Sequence, residues 1–134
     1  MVRHPKPMEL EQAHRLLDRI AVLRDPCDLD LLLFFVRHPR ALLSSDQIAA
    51  LLGYAVKRLG DSLDVLVTAD LLSRTQKPDG VARLYVFDDS VAPDWLPSLV
   101  ELASTRAGRL ALRNALKDRR KRTPPAQIRN AKPA

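Results

Sequence analysis

A chain of 134 residues with 46% apolar residues is long enough for one domain with a proper core and short for two. The single cysteine, Cys27, excludes an intramolecular disulfide, and no long uncharged apolar run suggests a signal peptide or a membrane span, so a reducing, cytoplasmic setting is expected. The net charge of +6 is uneven: residues 1–25 carry five Lys/Arg and four Asp/Glu, residues 26–89 seven and nine, and residues 90–134 ten and three, so the centre is slightly acidic and the basic excess lies in the last third.

Two prolines in "MVRHPKP" delay any helix at the start. Residues 8–24 then read as an amphipathic helix, with Leu10, Ala13, Leu17, Ile20 and Ala21 on one side and Glu11, Arg15, Asp18 and Arg19 on the other. Asp25 and Pro26 break the chain and cap "CDLDLLLFFVRH", which is apolar almost all round and so belongs to the core; Pro39 ends it. A short extended piece, "RALL", leads on to "SSDQIAALLGYAVKRLG".

That stretch holds two helical patterns joined by a short break. Ser44 or Ser45 can accept from the free N–H groups of a helix start, and Asp46 adds negative charge where the helix dipole favours it. Ile48, Ala49, Leu51 and Leu52 form the apolar stripe, and Gly53 supplies a left-handed end. From Val56 a second series, Leu59, Leu63, Leu66 and Val67, falls within one arc of a helical wheel. Two helices across a turn of about three residues read as a helix-turn-helix. Next, "LLSRTQKPDGVARLYVF" changes to alternation about Pro78, Asp79 and Gly80, which is a hairpin signal. Residues 94–118 are again helical, with Leu96, Leu99, Val100, Ala103, Ala107, Leu110 and Ala111 on one side. The segment beyond Thr123 has too little apolar surface to hold itself folded.

The order helix, helix, turn, helix, hairpin, with "SSDQIAALLGY" entering, "SLDVLVTADLLSR" leaving and "GVARLYVF" closing, resembles the winged helix-turn-helix of bacterial transcriptional regulators, over residues 27–89 and in the broad group of the MarR and PadR types. The expected fold is mainly α (α+β): an N-terminal helix over 1–25, a winged helix-turn-helix with a two-stranded wing over 26–89, a C-terminal helix over 90–120 and a basic tail over 121–134. The resemblance implies double-stranded DNA as partner, with the second helix of the pair in the major groove and the wing on the flanking backbone or minor groove. On this chain that selects Ser45, Tyr54, Lys57, Arg58 and Asp61 near the groove and Arg74, Lys77 and Arg83 on the wing. Where such domains usually carry glycine at the end of that helix, this chain has Asp70.

Opposite the apolar arc of the second helix lie Lys57, Arg58, Asp61, Asp64, Val65 and Thr68, two positive and two negative, so affinity for phosphates must come largely from elsewhere. The run "KDRRKR" supplies Arg119, Arg120, Lys121 and Arg122 as sequence-independent phosphate contacts. Continuous apolar stripes on both terminal helices need a cover, and a homodimer that places two recognition helices about one DNA turn apart is expected. The histidines at 4, 14 and 38 show no metal-ligand spacing, and no nucleophile constellation or glycine-rich phosphate loop is present, so neither metal, cofactor nor catalysis is expected. A regulator of transcription is the leading reading. A winged helix that docks on a protein, and a non-specific nucleic-acid binder driven by the basic tail, are its alternatives.

Overall fold

The computed structural model describes residues 7–76, 83–90 and 93–122. Among these, the order is α1 (Pro7–Asp18), α2 (Pro26–Arg37), β1 (Leu43–Ser44), α3 (Ser45–Leu52), α4 (Val56–Thr68), β2 (Leu72–Gln76), β3 (Arg83–Phe87), α5 (Leu96–Leu102) and α6 (Arg106–Arg122). The class is mainly helical α+β, with a three-stranded antiparallel sheet ordered β1–β3–β2. The chain forms two compact units, one of residues 27–100 and one that joins residues 1–26 to residues 101–134.

In the central unit the apolar run of α2 buries Leu29, Leu31, Leu32 and Phe35 completely or nearly so. Leu59, Leu63 and Leu66 of α4 and Ile48 of α3 are equally buried, each contributing about 2 kcal/mol of apolar transfer. Val56, expected on the same arc as Leu59, is 45% exposed: it is the first residue of α4, one turn before the buried series begins at Leu59. Ser44 is the N-cap of α3: its hydroxyl accepts from the Gln47 amide at 3.2 Å, while Gln47 Oε1 accepts from the Ser44 amide at 2.9 Å. This reciprocal box settles the choice between Ser44 and Ser45. Gly53 ends α3 at φ 80°, as its position requires.

At the end of α4 the chain turns through Asp70 at φ 65°, with the amides of Asp70 and Leu71 donating to the carbonyls of Val67 and Leu66. That pattern closes a helix through a left-handed residue, and here the residue is an aspartate rather than a glycine. β2 and β3 then pair from Leu72↔Phe87 to Gln76↔Arg83. The expected wing had two strands. The piece read as a short extended lead adds a third, β1, through Leu43↔Tyr85 and Ser44↔Leu84. The expected hairpin tip, with Lys77 and Gly80, lies outside the described residues.

The terminal unit corrects three expectations. The first helix stops at Asp18 rather than running to residue 24; Arg19 and Ile20 donate to carbonyls three residues back, and Ala21, beyond the helix, is exposed. The last block is two helices, since Thr105 caps α6 by accepting from the Gly108 amide at 2.9 Å. A side chain at 108 would put Cβ 1.7 Å from the Leu102 carbonyl oxygen, so the turn from Leu102 into α6 requires glycine there. The break rotates the buried face of α6 onto Gly108, Ala111, Leu112, Ala115 and Leu116, leaving Ala107 and Leu110 half-buried.

Third, α1 packs on α6 within the chain, burying Ala13, Leu16 and Leu17 of α1. The apolar stripes that were expected to need a second copy therefore have an internal cover over these residues, so they do not by themselves call for a homodimer. No helix among the described residues is long and apolar enough to cross a membrane.

Candidate nucleic-acid interface

Hydrogen bonds to Asp28 and Asp30 hold the α3–α4 pair on α2. Asp28, in the first turn of α2, is fully buried and accepts from the hydroxyl of Ser62, in the middle of α4, at 2.5 Å. Asp30, two residues on, accepts from the hydroxyl of Tyr54, in the turn between α3 and α4, at 2.5 Å. One bond ties down the middle of α4 and the other fixes the turn that enters it. Tyr54 thus has a structural task as a turn residue, beside its selection as a DNA contact.

With Leu59, Ser62, Leu63 and Leu66 inward, the most outward stripe of α4 is Lys57, Asp61, Asp64 and Thr68, all exposed. Arg58 lies at the edge of that stripe and is also exposed, while Val65 is half-buried. The two ends of the helix differ in charge. The first turn holds Lys57 and Arg58 and no acid, and Ala55, its N-cap, makes no side-chain cap. Amide groups and cations there point the same way electrostatically. Farther along, Asp61 and Asp64 are negative, but Arg74 of β2 approaches Asp64, with Nη1 and Oδ1 3.3 Å apart. This pair neutralises one acid of the outward stripe and joins the sheet to α4.

Of the remaining residues selected from sequence, Ser45 is the half-buried first residue of α3, and Arg83 is exposed at the start of β3. Lys77 lies outside the described residues. Arg119, grouped with the phosphate-binding tail, is placed differently: its guanidinium donates to the carbonyls of Leu17, Ile20 and Leu23, closing the chain after α1. A part-buried guanidinium held by three carbonyls is a poor phosphate contact; one of the three, Leu17, is in the last turn of α1, and Ile20 and Leu23 lie in the segment that follows it. Arg120, Lys121 and Arg122 form the end of α6.

Asp28, Ser62 and Gln47 were not singled out from sequence. Gln47 had a local signal, three residues after a serine cap. Ser62 had a weaker one, a small polar residue inside an apolar arc. Asp28 reads as an ordinary first-turn acid until its burial is seen.

The central unit as a whole holds seven Lys/Arg and ten Asp/Glu, whereas the terminal unit holds fifteen and six. At the base of the sheet, the Asp88 carboxylate accepts from the Ser90 hydroxyl, from the Ser73 hydroxyl and from the Ser90 amide, which holds it below the usual carboxylate range. Among the described residues no three His, Cys, Asp or Glu side chains converge on a point where a metal could bind. Compared with protein-family models, with curated proteins and with solved structures, the chain matches none.

Proposed function

We propose that residues 27–89 are a winged helix-turn-helix and that the protein is a sequence-specific DNA-binding regulator of transcription. The observation that carries the reading is the topology: α3 and α4 lie between β1 and β2, and β1 returns to pair with β3 beside the hairpin. In this reading α4 enters the major groove by its N-terminal turn, which holds no acidic residue and where Lys57 and Arg58 meet base edges and phosphates. Arg83 follows the flanking backbone, the role the resemblance also assigns to Lys77. Because α1 and α6 cover each other, the reading requires no second copy, and the symmetry of the bound sequence counts the copies.

A second reading has its own support. Leu51, at the end of α3, is 61% exposed and Val56, at the start of α4, is 45% exposed, on a unit with an acidic balance. Large apolar side chains beside the turn suit a protein partner. Selection of bound duplexes from a random pool by the full chain separates the two. A regulator enriches one sequence, which then keeps its advantage over a scrambled duplex as salt rises; a protein-docking module enriches none.

A further inference from the structure

We propose that the outward face of α6 is a second nucleic-acid site, one that binds the phosphate backbone of duplex DNA without reading its sequence. Arg106, Arg109, Arg113 and Lys117 recur at intervals of three and four residues, so they fall on one side of a helix. That side lies away from the buried positions Ala111, Leu112 and Ala115, with Arg109 at its edge beside Leu116. Four cations therefore stand along about 16 Å of helix. Arg106 and Lys117 are exposed, and Arg109 and Arg113 are half-buried. Arg109 is further held in place by a bond from Nη1 to the Ala103 carbonyl at 3.1 Å.

The acid nearest this series in sequence, Asp118, lies off the stripe and 3.6 Å from His14 of α1, so it does not interrupt the row. The stripe puts four of the fifteen Lys/Arg of the terminal unit, which has six Asp/Glu, on one side of one helix. Three of the four cations are arginines, whose planar forks suit phosphate oxygens. An anionic membrane is the other large polyanion. A helix that binds a membrane surface also buries an apolar face in it, and the apolar face of α6 is already taken by α1. Duplex phosphate is therefore the occupant that charge and burial favour together. This second site does not depend on α4 entering a groove.

The test uses the full chain and a scrambled duplex of about 20 base pairs, and it reads the slope of log affinity against log salt, which falls by about 0.9 for each phosphate that the protein no longer neutralises. Arg106→Gln/Lys117→Gln changes only exposed side chains, and it should lower the slope by about 2, with affinity at about 0.1 M salt down roughly tenfold. Arg106→Gln/Arg113→Gln/Lys117→Gln should lower the slope by nearly 3, while Arg106→Lys/Arg113→Lys should keep it. A charge-matched control, Arg15→Gln/Arg37→Gln/Arg40→Gln, should lower it far less than the triple stripe variant. Melting curves and circular dichroism check that each variant is folded. An unchanged slope in the folded double variant overturns the proposal, as does an equal fall in the control. So does tighter binding to phosphatidylserine vesicles than to the duplex, if the double variant loses it. Sequence preference on selected duplexes is a separate readout, so failure of the stripe and failure of the regulator reading are distinguishable.

Discussion

Arg74 Nη1 of β2 lies 3.3 Å from Asp64 Oδ1 of α4, so the sheet lends a positive charge to the most outward face of the helix proposed to read DNA. Both groups are substantially exposed, so the pair contributes at most about 1 kcal/mol to stability. Its larger effect is on the field that a phosphate meets. Asp64→Asn should leave the melting temperature almost unchanged, tighten binding to all duplexes several-fold and steepen the salt slope by about 1. Fluorescence anisotropy across a salt series checks this, and unchanged or weaker binding would place Asp64 away from the backbone.

The buried Asp28–Ser62 bond is expected to matter for stability rather than for charge. Ser62→Ala leaves a fully buried acceptor short of one donor, which should cost about 1–3 kcal/mol in urea denaturation. The Asp28→Asn variant should be destabilised by a similar amount. If both variants unfold at the wild-type urea midpoint, α4 is not anchored to α2 in this way.

Asp70 occupies a left-handed position and puts a negative charge at the end of a helix, where the dipole already disfavours it. Asp70→Gly should therefore raise stability by about 0.5–1 kcal/mol, and Asp70→Ala should lower it. A destabilised glycine variant would mean that the aspartate side chain has a role that its backbone angle does not reveal.

Asp88 gives a pH dependence with a definite sign. Its carboxyl is held below the ordinary range by Ser90 and Ser73, so its contribution is present above the unfolded-state value and is lost as pH falls through the lower folded value. Ser73→Ala should raise the titration point of Asp88 in a carbon-detected NMR titration, and its stability deficit should shrink in strongly acid solution. A deficit that grows on acidification would contradict the assignment of Asp88 as the favoured anion.

Much of the central unit was legible in the sequence because its signals are local. Gly53 and the apolar arc of α4 each act within a few positions of themselves. Asp70 was marked by standing where a glycine was expected. What was not legible depends on residues distant in the chain. Asp28 gives no sign that Ser62 will bury it, and "RALL" gives no sign that its last residue will pair with Tyr85. Arg119 looked like one more cation in a basic run, yet it serves carbonyls about a hundred positions earlier. The end of the first helix and the covering of the terminal stripes follow from that same α1–α6 packing. At the α5–α6 break the cue was local but faint: a threonine cap three residues before a glycine, inside a stripe that otherwise runs through.

The measurement that bears most directly on the central claim is the affinity of Lys57→Ala/Arg58→Ala for a duplex selected by the wild-type chain, compared with its affinity for a scrambled duplex. If the first turn of α4 meets base edges, the variant should lose about 1–3 kcal/mol for each base contact on the selected sequence and far less on the scrambled one, so that the preference collapses. Retention of the full preference by a folded double variant would contradict the account.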